Sequence, residues 1–152
     1  MKLIKAPDEF LEKKVNDFDF TKMDAEKISS EMFNIMKKYE GVGLAANQVG
    51  IDAQIFIMGE DKPMTIINPL VTEVSTNQVE MMEGCLSFPG VFVQVKRPTW
   101  IVAEFWDQNG EKQVGRIEGY DARCYLHECD HLNGIVFKDR VSNLKWDMAS
   151  KR

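Results

Sequence analysis

No apolar run in these 152 residues approaches the length of a membrane span, so none of them is expected to cross a membrane as a helix. Basic charge is also short. Nineteen Lys and Arg face 24 Asp and Glu, and a net charge of -5 argues against general affinity for nucleic acid or anionic membrane. The Lys151-Arg152 pair at the C-terminus is too small to reverse that balance. Cysteine is scarce and odd in number. Three residues do not build a disulfide framework, and they point to a reducing, cytosol-like compartment. The opening stretch Met1 to Asp8 turns polar too soon for a signal peptide. Internal repeats, low-complexity tracts and linkers are absent as well, so residues 1–152 are expected to form one domain with a substantial core.

Histidine is rarer still, with two copies, and both stand in His127-Glu128-Cys129-Asp130-His131. On a helix, positions i and i+4 fall on nearly the same face, so both imidazoles can reach one ion. Glu128 points to a neighbouring part of that surface and stays free to handle a proton. This H-E-x-x-H arrangement supplies two metal ligands and a general base for hydrolysis. The plain alternative is an exposed helix that carries two histidines and two acids.

The rest of the chain reads as α+β. Ile28, Met32, Ile35, Met36 and Tyr39 recur at helical spacing and predict a helix over Asp24 to Tyr39, capped by Thr21 or Asp24. Gly41-Val42-Gly43-Leu44-Ala45-Ala46-Asn47-Gln48-Val49-Gly50 is dense in small residues that admit another backbone closely. It lacks the Gly-Lys-Ser/Thr ending of a phosphate loop and by itself reads as a tight loop. Short β-rich runs follow at 55–58, 65–68, 71–74 (after Pro69), 91–95, 99–105 and 112–117, with turns at Gly59 to Pro63 and at Asn109-Gly110. Strands so close in sequence predict largely antiparallel pairing. The motif helix is expected over Tyr120 to Leu132, stopped by Asn133-Gly134, after which Val136-Phe137 packs back before a short tail. The expected fold is α+β, with mainly antiparallel sheets around a central helix carrying the H-E-x-x-H motif.

A catalytic ion on two histidines needs a third protein ligand, with water in the fourth position. Cys85 follows a glycine in the turn-rich Glu83-Gly84-Cys85-Leu86-Ser87-Phe88-Pro89-Gly90 and is the best-placed candidate by local character. Glu118, Asp121 and Asp139 are alternatives. Cys129 lies on the motif helix but off the histidine face.

The stretches Gly41 to Gln48, Glu83 to Ser87 and His127 to His131 together resemble the three signature motifs of the peptide deformylases. The likeness continues through Ala6-Pro7-Asp8 with Leu11, Arg97-Pro98 and Leu132-Asn133-Gly134, and covers nearly the whole chain. Asn47 stands where the family often has proline, which bears on loop stiffness more than on chemistry. The chain ends soon after His131, so the long C-terminal helix of many bacterial members is expected to be absent or much shortened, as in compact, phage-encoded members.

The resemblance implies that Cys85, His127 and His131 hold one divalent ion, iron(II) by preference, with zinc, nickel or cobalt able to replace it. It makes Glu128 the general base and then the general acid. It makes the side-chain amide of Gln48 and the backbone N–H of Leu86 the donors to the oxyanion. The implied substrates are N-formylmethionyl peptides and nascent chains met near the ribosome exit, and the products are formate and a free amine. Val42, Gly43 and Gly84 would pair with the extended peptide as an added strand. The methionine side chain would enter a pocket walled by Val42 and by Arg123 and Cys124 on the turn before His127. Arg123 replaces a usually aliphatic residue, so its stem either snorkels along the pocket rim or points outward. Glu83 and Arg97 resemble a pair that braces the cysteine loop. A monomer in the bacterial cytosol, or in host cytosol for a phage protein, is expected.

Two other readings compete. An H-E-x-x-H zinc peptidase usually takes its third ligand from downstream, where this chain offers no third histidine. A non-catalytic metal-binding module would close the site with a fourth protein ligand and leave Glu128 idle.

Overall fold

The computed structural model describes residues 1–151, so Arg152 of the C-terminal basic pair lies outside the described residues. The first long helix, α1, spans Ala25–Lys38, and the Asp24 carboxylate caps it by accepting from the Lys27 N–H at 3.1 Å. Thr21 bonds to Asp19 instead. Met32 and Met36 are buried, Ile28 and Ile35 are half-buried, and Tyr39, at the cap, is exposed. The apolar stripe therefore ends one residue group earlier than its spacing suggests.

The glycine-rich stretch is not simply a loop. Gly43–Ala45 forms strand β1 and Ala46–Val49 a 3-10 turn, and every residue from Leu44 to Val49 is buried. Strands β2 (Ile55–Met58) and β3 (Met64–Val74) follow as a hairpin. Pro69 does not divide β3 into two strands. Asn68 adopts φ 50° and the pairing register shifts between Ile67 and Leu70, so the residue without an N–H falls in a bulge. The Asn68 side chain makes the bulge specific by bonding both backbone groups of Phe18.

Four strands remain: β4 (Gln78–Cys85), β5 (Phe88–Pro98), β6 (Trp100–Trp106) and β7 (Lys112–Glu118). All pairing is antiparallel. One sheet has the order β1-β2-β3-β6-β7, and β4 and β5 form a separate two-stranded sheet. In β6 the period of two is plain: Ile101, Ala103 and Phe105 are buried while Trp100, Val102, Glu104 and Trp106 are half-buried on the other face. β4 lacks such alternation, since its residues from Gln78 to Met82 are all exposed. It is a strand because β5, the next strand, folds back on it as a hairpin.

Helix α2 (Gly119–Leu132) carries both histidines and packs on β1, β2, β6 and β7 of the larger sheet and on β5 of the smaller one. Asn133 caps it and Gly134 leaves it at φ 75°. The tail is not merely short irregular chain. Ser142 caps an eight-residue helix, α3 (Asn143–Ser150), whose Trp146 meets Phe88 and Phe137 edge to face at 5.5 and 5.1 Å. One buried residue in eight leaves too thin a stripe to read as periodicity.

Phe56 on β2 is fully buried and stands edge-on to Tyr125 of α2 at 5.1 Å, which seats the helix on the sheet. Phe56→Ala is expected to cost about 3–5 kcal/mol, read as a lower urea midpoint at unchanged slope. Leu144→Ala, at a residue 71% exposed, should stay within about 0.5 kcal/mol of the parent.

Candidate metal centre

Cys85 is the last residue of β4, not a turn residue, and Leu86-Ser87 form the reversal into β5. The strand end brings its sulfur over α2. Cys85, His127 and His131 each offer one ligand atom, and these lie within 4.8 Å of one another. Cys85 Sγ is 3.4 Å from His131 Nε2. His127 Nδ1 is 2.8 Å from Glu83 Oε1, which leaves Nε2 as its free ligand atom. Glu118, Asp121 and Asp139 do not belong to this cluster, and neither do Cys124 and Cys129.

Electrostatics separates the two histidines. Burial disfavours a charged His127, but its bonds to Cys85 and Glu83 outweigh that and raise its pKa. Burial lowers His131, and the neighbouring His127 lowers it further. Burial also works against ionised Glu83, yet the bonds from His127 and Arg97 hold its carboxyl at about 2. The donor set fits a divalent transition metal: one thiol and two imidazoles converge, a combination that suits iron, cobalt, nickel or zinc. Among the described residues, buried Glu128 Oε1 beside this cluster has no hydrogen-bond partner, so that carboxylate is not satisfied by the protein alone.

Glu128 is buried, and its carboxylate lies where a Cβ on Gly43 would be. Any side chain at Gly43 would displace it, which is one physical reason for the small residues of β1. Burial raises the Glu128 pKa to about 7, against the lowering pull of His127. Gln48 is also buried and is oriented from both ends. The Ala45 N–H donates to Oε1 at 2.9 Å, so the Nε2 amine turns to Ser87 Oγ at 3.1 Å and Cys85 Sγ at 3.5 Å. Asn47 donates to the Lys13 carbonyl at 2.6 Å, tying its loop to the N-terminal segment in place of a rigid ring.

A groove of about 510 Å³ opens over these groups, lined by Gly43, Gln48, Leu86, His127 and Glu128 among others. Val42, Gly84, Arg123 and Cys124 line a smaller recess of about 60 Å³ that shares His127 and Glu128 with the groove. Burial pushes the Cys124 thiol up to about 12, so it is an uncharged wall. Arg123 neither snorkels to a rim nor points outward. It is 2% exposed, and its guanidinium turns inward to Glu83 Oε2 at 2.5 Å, the Val95 carbonyl at 2.8 Å and the Val79 carbonyl at 2.7 Å.

Sequence reasoning missed two participants, Ser87 and Asp130, and the orientation of a third, Arg123. Ser87 accepts from Gln48 and donates to the Ile4 carbonyl at 2.7 Å. Asp130 takes Arg97 at 3.0 Å and Arg140 at 2.7 and 2.9 Å. Arg123 bonds inward. A signal for the last existed: Arg123, His127 and His131 follow at spacings of four, so a helix face that enters a site must carry the arginine with it.

Residues 1–147 match the family model described as polypeptide deformylase. A peptide deformylase of Wolbachia pipientis (subspecies Culex pipiens, strain wPip) is 38% identical over 164 residues, spanning 99% of this chain and 92% of the relative. The crystal structure of a peptide deformylase from Synechococcus elongatus in complex with actinonin superposes with TM-score 0.93 at 34% identity, covering 99% of this chain and 84% of that one. That of the peptide deformylase from Thermotoga maritima gives TM-score 0.89 at 37% identity over 93% and 97% of the two chains.

Because Glu83 fixes the His127 ring, Glu83→Gln is expected to weaken cobalt(II) binding by roughly 10–100-fold in chelator competition. Unchanged affinity would contradict that role.

Proposed function

The chain belongs to the peptide deformylase family and removes the N-formyl group from nascent peptides, a metal-dependent hydrolysis in that family; we propose that Cys85, His127 and His131 hold the ion and that iron(II) is the native one. One observation carries the assignment: Gln48, Cys85, Leu86, His127 and Glu128 line a single groove. When bound, the ion acidifies a water molecule and polarises the formyl carbonyl.

The chain's own residues do the rest. Glu128 takes the proton of the attacking water and passes it to the departing amine, and a carboxyl titrating near 7 suits both tasks. Gln48, whose amide is pinned by Ala45, and the Leu86 N–H at the hairpin reversal donate to the oxyanion that develops on the formyl carbon's oxygen. The C–N bond of the formyl amide breaks, giving formate and a free N-terminal amine.

Strands β1 and β4 flank the groove, and an extended peptide would pair by backbone with their Gly43 and Gly84, with Val42 beside it. The first side chain, methionine, would be directed to the recess walled by Val42, Arg123 and Cys124. No helix among the described residues is long and apolar enough to cross a membrane. A single catalytic domain, acting as a monomer in the bacterial or host cytosol on chains leaving the ribosome, completes the reading.

With formyl-Met-Ala-Ser as substrate, Glu128→Ala should lower kcat/KM by about 10²–10⁴-fold while keeping the metal. Gln48→Ala should lower it by about 10²–10³-fold. Formate release that survives Glu128→Ala would remove that residue as the base. Cleavage of an internal peptide bond would favour a peptidase.

A further inference from the structure

We propose that Arg123 is a positioning residue for the metal ligand His127, acting through Glu83. The inference rests on the reading that Cys85, His127 and His131 hold the ion.

Glu83 carries four hydrogen bonds on two oxygens. Oε1 meets His127 Nδ1 at 2.8 Å and Arg97 Nη2 at 3.0 Å, while Oε2 meets Arg97 Nε at 2.6 Å and Arg123 Nη1 at 2.5 Å. Arg97 grips the carboxylate in a bidentate fork and is tied to α2 only through its third nitrogen, at Asp130, 3.0 Å away. Arg123 bonds the carboxylate from α2 directly. It approaches from α2, the same helix as His127, one turn earlier, so carboxylate and imidazole are referenced to one rigid backbone. Nη1 also donates to the Val95 carbonyl and Nη2 to the Val79 carbonyl, which fastens both strands of the β4–β5 hairpin, and hence Cys85, to that helix. The guanidinium fork makes these three contacts at once, and a lysine ammonium at the end of a flexible stem does not reproduce them.

The sign of the effect separates positioning from charge. Arg123 is a cation near a cation site, so by Coulomb repulsion alone its removal would tighten metal binding. Positioning requires the reverse. Arg123→Met keeps the aliphatic stem that walls the recess and removes the fork.

The test measures cobalt(II) affinity by chelator competition for the parent, Arg123→Met, Glu83→Gln and the double variant. Arg123→Met should bind roughly 10–100-fold more weakly, the range for loss of a group that orients a metal ligand. In the Glu83→Gln background the same substitution should cost less than about threefold, since residues acting through one partner are not additive. Arg123→Lys should lie between parent and Arg123→Met, and it carries the comparison across the two backgrounds if the methionine variant does not fold. Parent-like or tighter binding by a folded Arg123 variant, or an equal loss in both backgrounds, overturns the proposal. A parent chain that binds no cobalt overturns the metal reading itself.

Discussion

One buried carboxylate organises the site. Glu83, on the exposed-looking strand β4, is 6% exposed and joins Arg97 of the neighbouring strand to Arg123 and His127 of the motif helix. Beyond it Arg97 reaches Asp130 and Asp130 reaches Arg140, so charges alternate along a path from the helix through the hairpin and back to the segment after the helix. A buried charge is costly unless it is paired and hydrogen-bonded, and breaking one member of a pair typically costs about 3–5 kcal/mol. The hairpin therefore has one acceptable position against α2. That position sets Cys85 over the two histidines.

The arrangement also explains why a polar interior is used at a place where apolar packing would be simpler. The two-stranded sheet offers few buried side chains, chiefly Val93 and Val95, and its own cluster is completed by Phe137 and Trp146 from the last third of the chain. Apolar contacts of that kind are non-directional. Hydrogen bonds from guanidinium forks have direction, and the proposed metal triad needs its third ligand at a defined point rather than at a defined distance from the core. The larger cluster, built from α1, the five-stranded sheet and the inward face of α2, supplies the bulk of the burial.

Much of this was legible in the residues, and the remainder was hidden for identifiable reasons. The helix under His127 and His131, the α1 stripe and the alternation in β6 are local periodicities, and each matches an element within a residue or two. β4 was not legible because its residues show no alternation, and its pairing partner lies a hairpin away. Pro69 looked like a break because a bulge on Asn68 depends on Phe18, 50 residues distant. The spacing of Arg123 from His127 signalled its face, but its partner, a carboxylate 40 residues earlier in the chain, is a pairing that spacing does not report. The orientation of Gln48 was similarly closed to inspection, although its identity was not, because Ala45 and Ser87 set the amide from opposite sides.

The ligand set can be read directly by X-ray absorption at the zinc edge on the zinc-loaded chain. One sulfur near 2.3 Å together with two imidazole nitrogens at about 2.0–2.1 Å is expected, with a light atom completing four-coordination. A shell with no sulfur, or one with two, would show that Cys85, His127 and His131 do not hold the ion together, and the chemistry built on them would have to be placed elsewhere.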